Sequence, residues 1–219
     1  IIVAVDEIDF KKAISLIDNL DPKKCLVKIG SVSFNSIGHE IISYTAKKGF
    51  DIFLDLKLHD IPHTVEKTIK GLSVLPIKIL TIHTSGGKDM MIAAMKAAYG
   101  TGIKIFGVTT LTSLSDNDTD IIFQRSASEQ VSAMLDLAEI AGIDGVVCSP
   151  HELELVKNRD SLLSITPGIR LKDSKDDQKR VMTPKKAIDL GADYLVIGRP
   201  ITTSDDIKKS LNDIYESIQ

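Results

Sequence analysis

Short apolar, β-branched runs alternate with longer stretches of helical spacing along the whole chain. The first run, Ile1–Asp6, precedes a helical pattern over Phe10–Leu20, and the second, Lys24–Ile29, one over Phe34–Lys48. The third run, Asp51–Lys57, leads to a helix over Pro62–Ser73, and the fourth, Lys78–His83, to one over Lys88–Tyr99. After the fifth, Ile103–Thr109, the spacing predicts a polar loop and then a helix over Ser126–Ala141. The sixth, Asp144–Cys148, is followed by a short helix from Pro150, and the seventh is Leu162–Thr166. The eighth, Asp193–Ile197, precedes a last helix over Asp205–Ile218.

Strands alternating with helices imply βαβ units and a parallel sheet. Glycines at Lys48-Gly49, Ala141-Gly142 and Leu190-Gly191 sit where helices end before the next strand. Eight units in 219 residues suit a closed α/β barrel, a single (β/α)8 TIM barrel domain over residues 1–219, better than an open doubly wound sheet. No GxGxxG follows the first strand, which weakens a dinucleotide-binding reading. The charged stretch Arg170–Arg180 reads either as a solvated loop or as a lid, spanning about 169–182, over a site.

Composition adds little to this picture. The hydrophobic fraction is 43% and Trp is absent, so aliphatic side chains fill the core. The net charge of −3, with both signs interspersed, gives no basic stripe and no support for nucleic-acid binding. No apolar run is long enough for a membrane span. Cys25 and Cys148 stand apart, without a CxxC or a nearby histidine cluster, and read as buried thiols of a reducing compartment. A cytoplasmic location is therefore expected.

The chemistry collects at one end of the strands, where barrels of this type carry their catalytic groups. Strand ends show Asp6, Lys28, Asp55 with Lys57, His83, Thr109–Thr112, Ser149, Thr166-Pro167-Gly168 and Gly198-Arg199. Asp55 and Lys57 share one strand face, while Leu54 and Leu56 take the other. Asp60 follows the strand, and Lys28 projects from its neighbour. An isolated Asp-Lys pair is usually a structural ion pair, but a Lys-Asp-Lys-Asp set at a barrel mouth points to a site, because burying several charges is expensive.

The segment Asp55-Leu56-Lys57-Leu58-His59-Asp60-Ile61-Pro62 resembles the DxKxxDIP signature of the orotidine 5′-monophosphate (OMP) decarboxylase family, bacterial type. The resemblance continues through Val5-Asp6, Val27-Lys28-Ile29-Gly30, Leu111-Thr112-Ser113 and Thr166-Pro167-Gly168-Ile169-Arg170. It ends with Asp176–Pro184 and Val196-Ile197-Gly198-Arg199-Pro200-Ile201-Thr202. It implies cofactor-free conversion of OMP to UMP in pyrimidine biosynthesis, with Lys57 as proton donor to C6 inside an array of Lys28, Asp55 and Asp60. It also implies a homodimer in which Asp60, with Ile61 and Thr64, serves the partner's site. By the same resemblance, Asp6 and Lys28 hold the ribose hydroxyls and Thr112 lies near the pyrimidine. Gln178, Arg199 and the Gly198 backbone hold the phosphate, with Arg170 at the base of the lid. Neither metal nor cofactor is implied.

Relatives with a similar strand, such as 3-keto-gulonate-6-phosphate decarboxylase and hexulose-6-phosphate synthase, use magnesium and an acidic residue near the end of strand two. Lys28 stands in that region here, and a lysine disfavours a cation that needs oxygen ligands. A barrel that binds a phosphate ligand without turnover is the reading from a different class. His83 is balanced between shaping the pocket and structural packing. His59 is expected to point away from Lys57 if the strand continues, and Met90, Met91 and Met95 are expected to pack a helix.

Overall fold

The computed structural model describes residues 1–170 and 182–219. Eight parallel strands close into a barrel in sequence order, and β1 pairs with β8 through Ile2↔Val196 and Val3↔Ile197. They are β1 Ile2–Val5, β2 Leu26–Gly30, β3 Ile52–Leu58, β4 Ile79–His83, β5 Lys104–Val108, β6 Gly145–Val147, β7 Leu163–Thr166 and β8 Tyr194–Ile197. The barrel predicted from the alternation is present, with strand bounds shifted by a residue or two.

Period-two alternation sorts the strand residues into two cores. Val3, Val5, Val27, Ile29, Ile52, Leu54, Leu80, Ile82 and Ile105 face outward against the helices. Ile2, Ala4, Phe53, Ile79, Phe106, Ile165 and Val196 face inward and plug the barrel. Without tryptophan, the two phenylalanines supply the bulk, and Tyr194 meets Phe106 edge-on at 6.4 Å. The alternation carries the chemistry with it: Asp6 continues the inward series of Ile2 and Ala4, and Asp55 and Lys57 continue that of Phe53. The apolar plug therefore forms the floor beneath the charges.

The helices between strands are α1 Phe10–Ile17, α2 Ser31–Ile37, α3 His39–Lys47, α4 Pro62–Leu72, α5 Lys88–Ala98, α6 Asp116–Phe123 and α7 Ala127–Ala141. Four more, α8 Leu153–Lys157, α9 Pro184–Asp189, α10 Arg199–Thr202 and α11 Ile207–Ser217, complete the described set. Two differ from the sequence expectation. The single helix expected over Phe34–Lys48 is split at Gly38, whose φ of 78° and ψ of −152° no helix accommodates. The polar loop after β5 contains α6, started by a capping box in which Ser115 accepts from the Asp118 N–H and the Asp118 carboxylate accepts from the Ser115 N–H. Its Asp, Asn and Thr content masked it, since these residues favour turns over helix interiors.

The other local expectations hold. Gly49, Gly142 and Gly191 all have positive φ at helix ends. Met90 and Met91 are fully buried, and Met95 packs against the same outer core. Among the described residues no helix is long and apolar enough to cross a membrane.

Both cysteines are free and buried. Burial pushes the Cys25 thiol up to about 12 and raises that of Cys148 as well. A disulfide reagent at neutral pH is therefore expected to modify neither thiol in the native protein and both in denaturant. Rapid native labelling of either would contradict this packing.

Candidate active site

The open end of the barrel holds a cavity of about 590 Å³, within the size range of small-molecule sites. Its walls are the inward residues at the strand ends. Phe53, Val108, Val147 and Val196 give the apolar floor, and Asp6, Lys28, Asp55 and Lys57 give the charged side. Thr112, Arg170, Gly198 and Arg199 complete the part foreseen from sequence.

Asp55 is the centre of the charged side. It is buried, with its side chain 10% exposed. Its Oδ2 lies 2.8 Å from Lys57 Nζ and 3.5 Å from Lys28 Nζ. Its Oδ1 accepts a hydrogen bond of 2.9 Å from the Thr81 hydroxyl. Burial alone would push this carboxyl up; the two ammonium groups and the Lys57 and Thr81 hydrogen bonds outweigh it and hold it below the usual carboxylate range. Surface pairs such as Lys70–Glu66 are screened by water and add little to stability. Breaking a pair buried on both sides, such as Asp55 with Lys28, costs about 3–5 kcal/mol.

Lys28 also reaches Asp6, at 3.3 Å from Oδ1, so β1, β2 and β3 are tied in one chain of charges. Space for it comes from Gly30. A Cβ at that position would stand 3.0 Å from Lys28 Nζ and 3.1 Å from Asp6 Oδ1. The turn carrying Asp6 is fixed by Ser33. This fully buried hydroxyl accepts from the Glu7 N–H at 2.9 Å and lies 3.0 Å and 2.8 Å from the Val5 and Glu7 carbonyls. Neither role was read from the sequence. Gly30 lay inside a recognised segment without a task, and Ser33 gave no signal.

Lys57 itself has φ 51°, in the left-handed region. For a residue other than glycine such a conformation costs on the order of 1–3 kcal/mol and persists only where the surroundings hold it. It accompanies a register shift between β3 and β4: Leu54 pairs with Leu80, but Leu58 pairs with Ile82.

Two histidines adjoin this corner. β3 ends at Leu58, so the alternation does not carry on to His59. Instead its ring lies 5.2 Å from that of His83. The expectation for His59 was conditional on a continuing strand, and its exposed ring does not line the cavity. Burial first, then the charges of His59 and Lys57, lower the His83 pKa and favour its neutral form.

Asp60, Ile61 and Thr64 do not line the cavity of this chain. All three are exposed at the barrel rim, Ile61 to 66%, and the Asp60 carboxylate accepts from the Ile61 N–H at 2.7 Å. Gln178 lies outside the described residues, as do residues 171–181 of the expected lid. The base of that segment is described: Ile169 bridges to Met182, Arg170 N–H donates to the Met182 carbonyl, and Met182 N–H to that of Gly168. Arg170 is buried and its guanidinium donates to the Ile169 carbonyl.

The profile of the orotidine 5′-phosphate decarboxylase / HUMPS family matches residues 1–214. The chain belongs to that family. Its similar relatives include the orotidine 5′-phosphate decarboxylases of Shewanella sediminis and Ehrlichia canis, each 45% identical to it. Those alignments cover 100% of this chain and 96% and 97% of the respective relatives. Among solved structures, the orotidine 5′-phosphate decarboxylase of Lactobacillus acidophilus superposes with a TM-score of 0.88 at 34% identity, covering 100% of this chain and 98% of that one. Relatives bearing this name are carboxy-lyases, and the family resemblance seen at Asp55–Pro62 extends over the full barrel.

Proposed function

We propose that this chain, as one barrel domain over 1–219 with a lid at about 169–182, decarboxylates OMP to UMP in pyrimidine biosynthesis without a cofactor. The observation that carries the reading is the buried Asp55 carboxylate shared by Lys57 and Lys28 on the charged side of the cavity. In this reading the bond from C6 to the carboxylate carbon breaks and CO2 departs. The electron pair stays on C6, and the Lys57 ammonium transfers a proton there to complete UMP. The pyrimidine ring delocalises that carbanion poorly, so a fixed cation where charge develops is the effective catalyst. Asp55 keeps Lys57 in place and, beside the substrate carboxylate, raises the ground state. Two ammonium groups on one carboxylate also repel a divalent cation, which favours this reading over the magnesium-dependent relatives.

The remaining assignments follow the cavity. Asp6 and Lys28 take the ribose hydroxyls, and Thr112 lies beside the pyrimidine. Arg199, the Gly198 backbone and Gln178 hold the phosphate, with Arg170 at the base of the lid. Phosphate binding far from the reacting bond is used to close the lid and order the site. Asp60, Ile61 and Thr64 act in the partner's site of a homodimer; their exposure at the rim, outside this chain's own cavity, supports that placement. The buried free thiols accord with a cytoplasmic setting.

The test is the ultraviolet change on mixing protein with OMP in the presence of EDTA. Conversion to UMP is expected. A requirement for added magnesium, or conversion only of a sugar phosphate, would replace this reading.

A further inference from the structure

We propose that Thr81 is a positioning residue for the reaction, one hydroxyl that sets both the Asp55 carboxylate and the backbone of Lys57. Continued regularly from Leu54↔Leu80, the β3–β4 ladder would set Leu56 opposite Ile82; Leu58 stands there instead, two residues later. Across that interruption the Lys57 N–H donates to the Thr81 hydroxyl oxygen at 2.9 Å. The same hydroxyl donates its proton to Asp55 Oδ1 at 2.9 Å. Lys57 Nζ closes the ring on Asp55 Oδ2 at 2.8 Å.

Thr81 is fully buried on the inward face of β4, beneath the cavity, and does not line it. It thus acts on the substrate only through its two neighbours. Its oxygen is both donor and acceptor, as a hydroxyl permits and a methyl does not. This is the contact that holds Lys57 at φ 51°. Released from it, the backbone relaxes toward a less strained conformation and the ammonium moves off the line to Asp55. A displacement of about 1 Å in a reacting group is enough to cost about 100-fold in rate. The grip on phosphate and ribose, at the ends of β1, β2 and β8, is untouched.

The experiment compares Thr81→Val, which keeps the shape and removes the hydroxyl, with Thr81→Ser, which keeps the hydroxyl and removes the methyl. The first is expected to lower kcat about 10- to 100-fold with KM changed by less than about threefold, and the second to stay within about threefold of wild type in both. Thr81→Ala, which sets no new atom against Asp55, serves if the valine variant does not fold, and is held to the same split. Wild-type kcat in the valine or alanine variant would overturn the proposal. So would a serine variant as slow as valine, which would trace the effect to packing of the methyl. The inference rests on the decarboxylase reading, and the two fail differently. An inactive wild-type protein removes both, whereas an active wild type with an equally active valine variant removes only the role of Thr81.

Discussion

Lys57→Ala is expected to lower kcat for OMP by at least about 10⁴-fold while the barrel stays folded. Two contributions add. A positioned general acid is worth about 10²–10⁴-fold, and a preorganised group aimed at developing charge a further 10²–10³-fold or so. In the proposed reading Lys57 supplies both from one nitrogen, because the ammonium that faces the nascent carbanion also donates the proton that carbanion receives. The fold does not depend on that nitrogen. The Lys57 side chain is 36% exposed, and Asp55 keeps Lys28 at 3.5 Å and the Thr81 hydroxyl at 2.9 Å after its loss. An alanine also tolerates the φ of 51° no worse than lysine does. Single-turnover rates with OMP, beside a thermal melt, separate the two effects. A variant that melts like wild type and turns over within tenfold of it would remove Lys57 from the chemistry.

What could be read in advance followed from local periodicity. The alternation Ile2-Ala4-Asp6, and again Phe53-Asp55-Lys57, places apolar plug and charged mouth on one face without any knowledge of partners. The Lys28–Asp55 contact was readable too, because neighbouring parallel strands bring the same inward parity together. Thr81 and Ser33 were hidden for the opposite reason. A threonine in a strand reads as β-branched filler, and its meaning here depends on the interruption between Leu54 and Leu58, which brings the Lys57 N–H to its oxygen. Ser33 acts on Val5 and Glu7, far back in the chain, through a turn that no spacing rule predicts. For His59 the parity argument stops at the same place, since the strand ends at Leu58.

Mixing inactive Asp60→Ala with inactive Lys57→Ala protein is expected to restore about a quarter of wild-type activity per site. In a homodimer with sites shared across a two-fold axis, random exchange makes half the dimers hybrid, and each hybrid rebuilds one site with both residues intact and one with neither. The expectation comes from where Asp60 lies. It follows β3 closely in sequence, yet it sits exposed at the rim with its carboxylate on the Ile61 N–H, outside the cavity that Lys57 enters. In the proposed reading, Asp60 therefore completes the array of a second copy of the chain. Ile61, 66% exposed beside it, gives that rim an apolar element for a second copy to cover. The control is the Asp55→Ala and Lys57→Ala mixture. Both of those residues belong to one chain's cavity, so each hybrid dimer rebuilds one intact Asp55–Lys57 pair only if its remaining chain carries both, and neither does. Recovery with Asp60→Ala and none with Asp55→Ala fixes the boundary of the shared site between Lys57 and Asp60. Silence in both mixtures, with subunit exchange demonstrated by tagged chains, would place the whole array within one barrel and require Asp60 to turn inward when substrate binds.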